Sequence, residues 1–235
     1  DEIAEIMEGI EELKSNNEYI NEEVKTMLTS VFLCRGKEDP LGMEENWESA
    51  VANDRFSALL EDIAYMPSEQ KRILKKLTEC YPDESHFWGH LARYCYEKAD
   101  TLPAFEEAAR YADKALAVNG KNDFVILHVA GMCKRRIIEY HKRHNKHLGF
   151  ETLRELTEAS QYYFISSREV KPQNIHAYVS EIQMLVIVIE FGKKMSGYNS
   201  YLHFLTDPDN EWYLEKFERI QNLIVEARML IDQLR

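Results

Sequence analysis

Glycine and proline are scarce in this chain, at 9 and 6 of 235 residues. Strand-rich folds need both at fixed turn positions, so their scarcity argues against a β or loop-rich architecture. Cysteine is rarer still. Cys34, Cys80, Cys95 and Cys133 are scattered, with no C-x-x-C pair, which removes the spacing of a zinc ribbon or redox dithiol and reads as buried reduced thiols. No apolar run approaches the ~18 residues that span a membrane; the longest, Met184 to Ile189, is far shorter. No signal-peptide pattern opens the chain. No G-x-x-x-x-G-K-[S/T] string or glycine-rich loop is present to cradle a nucleotide phosphate. Positive charge is the minority sign: 29 Lys and Arg against 41 Asp and Glu leave a net charge of −12, which disfavours nucleic-acid binding by the surface as a whole. The expectation is a cytoplasmic protein without cofactor or metal. The start at Asp1 without a methionine, and a last helix that reaches the final residue, read as a piece of something longer.

What is abundant is helix-forming Glu, Lys, Leu and Ala in amphipathic order. Asp1–Leu13 carries Ile3, Ile6, Met7, Ile10 and Leu13 between acids, and Ile20–Cys34 places Val24, Met27, Leu28, Val31 and Phe32 on one face. Gly36, Pro40 and Gly42 mark a loop, where the one subdomain boundary is placed. Beyond it, a short helix runs from Phe56 to about Tyr65. A second, burying Ile73, Leu74 and Leu77, stops at Tyr81-Pro82.

From Ser85 a pattern repeats. Trp88, Leu91 and Ala92 stand at W-x2-L-small spacing, followed by Cys95, then by Ala108, Ala112, Ala115 and Leu116 and a turn at Gly120. Small residues let two helices approach, while Trp88 and Leu91 fill the groove between them. With Asp123 as first position, Ile126, Val129, Ala130 and Cys133 take the same places, and Pro172 closes that unit. Its first helix is expected to run to about His147 and its second from Phe150 to Val170. A third unit starts at Ile175 with Tyr178, Ile182 and Leu185 in register, its helix reaching about Met195. Ser196–Asn210 reads as a loop. Glu211–Leu234 reads as a final helix with Trp212, Phe217, Ile220, Ile224 and Leu230 along its apolar stripe.

This order of large and small residues resembles tetratricopeptide repeats, helix-turn-helix units of about 34 residues. The resemblance implies an all-α, right-handed α-solenoid of antiparallel helix pairs, with extra N-terminal helices and a C-terminal capping helix. The units fall at approximately 53–84, 85–122, 123–174 and 175–235, after an N-terminal segment 1–52. Phe56-Ser57-Ala58-Leu59-Leu60, Tyr81-Pro82 and His86 through Tyr94 are similar, more narrowly, to the helical region behind the NTPase module of STAND-type signalling ATPases, shared by the sterile-alpha-motif-domain-containing protein nine family. In such proteins the repeats sense or bind a ligand, and the nucleotide-binding domain lies upstream. The motifs of that enzyme are missing here.

The resemblance also implies a ligand face, since tetratricopeptide ligands contact fixed positions of each first helix. Carried over, these are His86, Gly89, Arg93, Tyr96 and Glu97; then Phe124, Leu127, Gly131, Lys134 and Arg135; then His176, Val179, Gln183, Val186 and Ile187. Tyr96, Phe124 and Leu127 would form an apolar floor, and Arg93, Lys134 and Arg135 would hold a carboxylate or phosphate. The paired Lys and Asn of a two-carboxylate clamp are absent. A second candidate is the basic run Lys134–His147, with Arg136, Lys142, Arg143 and Lys146; its alternative reading is a solvated helix end that pairs with surface acids. His86 and His90 stand i, i+4, but without the glutamate of a zinc-protease helix or a third ligand at metal spacing. No catalytic set emerges. The sequence points to a non-catalytic scaffold that binds a protein or peptide segment, with nucleic-acid or phosphate sensing at the basic run as the alternative and self-association into a homodimer as a third.

Overall fold

Alanine, glycine and serine set how closely the helices of this chain approach one another. The computed structural model describes residues 70–118 and 120–233. Helix α1 spans Gln70–Cys80, α2 Ser85–Lys98, α3 Leu102–Val118, α4 Phe124–Arg143, α5 Phe150–Val170, α6 Ile175–Met195, α7 Tyr201–Thr206 and α8 Glu211–Gln233. Single 3-10 turns at Gly120–Asn122 and Pro208–Asn210 lead into α4 and α8. No strand occurs among the described residues, so the class is all-α. The expected helices at Asp1–Leu13, Ile20–Cys34 and Phe56–Tyr65, and with them the 1–52 segment, lie outside the described residues.

The ends of the helices follow from local chemistry. The Glu84 carboxylate accepts the His86 amide (3.0 Å) at the start of α2, and Asp123 accepts those of Val125 and Ile126 (2.7 and 3.0 Å) at the start of α4. Each satisfies donors that the first helical turn leaves open. Helix α4 ends at Arg143 rather than near His147, because Asn145 adopts a left-handed backbone (φ 51°), a conformation that Asn tolerates. The stretch expected as a loop after Met195 contains α7 instead, started by Ser200, whose hydroxyl accepts the Leu202 amide (3.2 Å).

Consecutive helices pack as hairpins, and each new pair leans on the one before. Helix α2 packs on α3, and α4 lies against both; α4 packs on α5, and α6 lies against both. Helix α8 covers α6 and α7 covers α8, while α1 covers the other end at α2. Phe87, Leu91, Ala92, Ala108, Ala112 and Ala115 are buried between α2 and α3. Trp88, expected to fill that groove, is only half-buried; its indole donates to the Pro82 carbonyl (2.7 Å) beneath Lys114, and the neighbouring Phe87 goes deepest. At Gly131 a Cβ would stand 2.7 Å from the Phe164 ring, and at Gly192 one would stand 2.3 Å from Tyr213. Glycine there lets α5 and α8 seat an aromatic ring on the helix backbone.

The third layer is held by charge. Glu181 of α6 is fully buried and accepts from Arg168 of α5 (2.5 Å), Arg219 of α8 (3.3 Å) and Gln161 of α5 (3.2 Å). Arg168 also lies over Tyr178 and reaches the Ala177 carbonyl. By length and composition α6 is apolar enough to cross a membrane, contrary to the expectation from short runs. Here it is packed between α4, α5 and α8 with a buried, ion-paired carboxylate in its second turn. Helix α8 buries Tyr213, Ile220 and Leu223; Phe217 and Ile224, expected on its apolar stripe, are exposed at 38% and 37%.

Candidate binding face on helices α2, α4 and α6

Three helices, α2, α4 and α6, lie side by side, so residues at equivalent turns share one lateral face. Which residues face outward depends on where each helix starts. Ser85 and Ile175, taken as first positions from the sequence, are the first helical residues of α2 and α6. In α4 the first helical residue is Phe124, because Asp123 is the cap. Helix α4 thus begins one residue after its expected first position, while Ile126, Val129, Ala130 and Cys133 are buried at the expected core positions.

The membership of the face on α4 differs from the expected one. Leu127 is 3% exposed, inside the stack, and Gly131 is covered by Phe164. Phe124 is half-buried with the Lys171 ammonium over its ring (4.3 Å). Lys134 turns to Asp113 of α3 (3.7 Å). The outward positions of α4 are instead Val125, 38% exposed, and His128. In α6 the expected residues His176, Val179, Gln183 and Val186 are all exposed, with Ile187 half-buried. In α2, Arg93 and Glu97 are exposed and bonded to each other (2.9 Å), while Gly89 and Tyr96 are buried. The Arg136 guanidinium lies 5.8 Å from the Tyr96 ring centre. Burial pushes the Tyr96 hydroxyl up to about 12.

His128 sits at the centre of this face, and the motif-based reading missed it. Its Nε2 pairs with the Ser180 hydroxyl of α6 (2.9 Å), and its ring lies against Phe164. Burial, with the charges of His176, Arg93 and Arg135, pushes it down to about 4, so the ring is neutral at physiological pH. Arg135, expected to meet a ligand, is buried instead; it spans from Glu139 (2.7 Å) to Gln183 (2.9 Å) and the Ser180 carbonyl (3.4 Å), fixing the side chain of Gln183.

His86 serves the helix starts. Its Nδ1 meets Glu84 (2.8 Å) and its Nε2 meets Asp123 (3.0 Å), so the two caps share one imidazolium. The bonds to Asp123 and Glu84 raise His86 to about 9, against the opposing effect of burial. His90 moves the other way, down to about 4, through burial and the charges of Arg93 and His86. The two histidines thus differ in protonation state. Among the described residues no three His, Cys, Asp or Glu side chains gather at metal-binding distance.

The basic run is divided among neighbours. Arg135 and Arg136 both pair with Glu139, Lys142 pairs with Glu190 of α6, and Lys146 donates to the Tyr140 hydroxyl (2.8 Å). Arg143 is exposed. Lys194 bonds Asn145, which brings the end of α6, with Lys193 and Lys194, beside the end of α4. Together the fold and the face define an all-α array of helical hairpins with a polar and β-branched lateral surface. No family model matches the chain, and no curated protein matches it.

Proposed function

We propose that this chain is a non-catalytic protein- or peptide-binding scaffold, a tetratricopeptide-like solenoid whose ligand lies across α2, α4 and α6. The observation that supports it is the pair of side-chain links from α4 to α6, His128 to Ser180 and Arg135 to Gln183, together with the exposure of Arg93 on α2, Val125 on α4, and Val179 and Val186 on α6. The valines offer apolar contact at low entropic cost. Arg93 and Gln183 orient the segment with directional bonds, and the neutral His128 offers a ring nitrogen without a charge to desolvate. In a larger cytoplasmic signalling or defence protein of the STAND kind, such a face would act as the sensing surface.

The test is site-specific photo-cross-linking. A photoreactive residue at Val179 is expected to capture a protein or peptide partner from host lysate at moderate salt, with nuclease present, whereas one at Tyr162, on the exposed side of α5, is not. Capture that survives Arg93→Glu combined with Gln183→Lys would refute this site. A second reading rests on the Lys194–Asn145 contact, which joins Arg143 and Lys146 to Lys193 and Lys194 as a candidate phosphate or nucleic-acid surface. That reading expects oligonucleotide binding that weakens steeply with salt and is lost when Lys142, Arg143 and Lys146 are changed to Glu. Salt-independent binding, or none, would remove it.

A further inference from the structure

The charge of this chain is divided unevenly along its length. The first 62 residues hold 17 Asp and Glu against 5 Lys and Arg, a balance of −12 that equals the whole chain's. Residues 63–235 are therefore neutral overall. Within that neutral part, the ends of α4 and α6 gather cations bonded to neutral groups. Lys142 is paired with Glu190, and Lys194 donates to the Asn145 amide oxygen, which holds the two ends together. Around that joint Lys146 donates to the Tyr140 hydroxyl, Lys193 lies over the Tyr201 ring (4.4 Å), and Arg143 is exposed. Acids of the neighbouring turns are engaged elsewhere, Glu151 by Arg154 and Asp207 by the Tyr198 hydroxyl.

The chain enters the described region at this same end. Lys71, in the first turn of α1, reaches Glu107 of α3 (3.8 Å). Phe105 of the same helix lies against Tyr140 (6.0 Å between ring centres), the ring that carries Lys146. The way from Gln70 to the cations thus crosses two helix widths, about 20 Å at ordinary packing distance.

We propose that residues 1–23 occupy this cluster within the same chain, their carboxylates pairing with Arg143, Lys146, Lys193 and Lys194. That segment holds nine Asp and Glu and a single Lys, the densest negative run in the sequence. Residues 24–69, which join it to α1, far exceed the distance to be crossed, since an extended residue spans about 3.3 Å. Single surface ion pairs are weak, but a tether of that length keeps acids and cations together at about millimolar effective concentration. The consequence is a guarded surface. The cations on which the phosphate or nucleic-acid reading rests are met by the chain's own acids, and an outside polyanion must displace them. The internal contact itself does not depend on that reading.

Zero-length carbodiimide coupling of the whole chain is the test, because it joins a carboxylate only to an amine in contact with it. At low salt, acids of residues 1–23 are expected to link to Lys146, Lys193 and Lys194. They should not link to Lys121 or Lys171, which are exposed at the opposite end of the stack, ahead of α4 and α6. The links should be lost in about 0.5 M salt. In an equal mixture of heavy-isotope-labelled and unlabelled chains, every link should join peptides of one label. A second readout leaves α4 and α6 unaltered: with Glu5, Glu8, Glu11 and Glu12 all changed to Gln, acetylation of Lys193 and Lys194 should quicken while that of Lys121 does not. The absence of these links, links spread equally over Lys121 and Lys171, or links that mix the two labels would each overturn the proposal. So would links made by Glu38–Glu48 instead, or acetylation indifferent to the four substitutions.

Discussion

Helices α3 and α5 hold equivalent places, each completing a hairpin and each receiving the next helix, yet they do so with different chemistry. Helix α3 buries Phe105, Ala108, Ala109, Ala112, Ala115 and Leu116; α5 buries Leu153, Thr157, Ser160, Phe164, Ser167 and Arg168. Both keep the contact row small so that backbones can approach. In α3 the small groups are methyls, and the gain is area removed from water. In α5 two are hydroxyls that donate into α4: Ser160 to the Gly131 carbonyl (2.9 Å) and Ser167 to that of Phe124 (2.7 Å), with Asn174 donating in turn to Ser167 (2.9 Å). A methyl row tolerates sliding, whereas a row of directional bonds fixes one register. The two hairpins should therefore fail differently when perturbed.

The largest difference is expected at Glu181. Glu181→Leu leaves Arg168, buried and tied to the Ala177 carbonyl, without its carboxylate. An uncompensated buried charge costs about 3–5 kcal/mol, and the loss is read from urea unfolding. The double variant Glu181→Leu with Arg168→Met is expected to recover most of it, because a buried pair exchanged for apolar groups is close to neutral. In the alanine hairpin, Ala112→Gly removes one methyl and adds backbone freedom, at about 1 kcal/mol. Equal losses from Glu181→Leu and Ala112→Gly would erase the contrast between the two hairpins.

Next in size is Gly131→Ala. The added Cβ meets three atoms of the Phe164 ring at 2.7, 2.9 and 3.0 Å, and that ring is fully buried. A loss of about 2 kcal/mol is expected from the forced shift. Phe164→Leu in the same chain should relieve part of it, so the two changes together cost less than their sum. Strict additivity would mean that the helices separate by bending elsewhere, and that the hydroxyl bonds do not hold α4 and α5 in register.

How much of this was visible in the sequence depends on how local each determinant is. The bounds of α5 and α6 are legible because periodicity, a leading Gly149 and the closing Pro172 agree over twenty residues. Helix α7 is too short to show a period. In α4 the repeat spacing finds the core positions Ile126, Val129, Ala130 and Cys133, but it turns Leu127 outward on paper and passes over His128, whose partner Ser180 lies 52 residues away. Glu181 falls at a core position of an otherwise apolar helix, a visible oddity. Its partners are 13 residues before it and 38 after it, a convergence that no spacing rule in one helix contains. The apolar row on α8 was misassigned for a related reason. Phe217, Ile220 and Ile224 form one broad stripe in sequence, and only the position of α6 decides which edge is covered.

A pH-dependent effect is expected where the alanine hairpin meets α4 through the His86 bridge between Glu84 and Asp123, a contact additional to the Lys134–Asp113 pair. Asp123 is held below its ordinary range: burial works against this, but the His86 bond and the amides of Ile126 and Val125 prevail. His86 titrates at about 9 against an unfolded value of 6.5. Its contribution is therefore complete below about pH 6.5 and is lost as pH rises through about 9. The loss is on the order of 2 kcal/mol after allowance for the partly exposed pair. His90, neutral beside it, does not change state over that range. Raising the pH from 7 to 10 should thus accelerate amide hydrogen exchange, beyond the intrinsic rate, in the first turns of α2 and α4 while leaving α5 and α6 protected. His86→Gln should abolish the pH dependence of that difference. Uniform loosening of both hairpins would mean that the bridge is not what joins them.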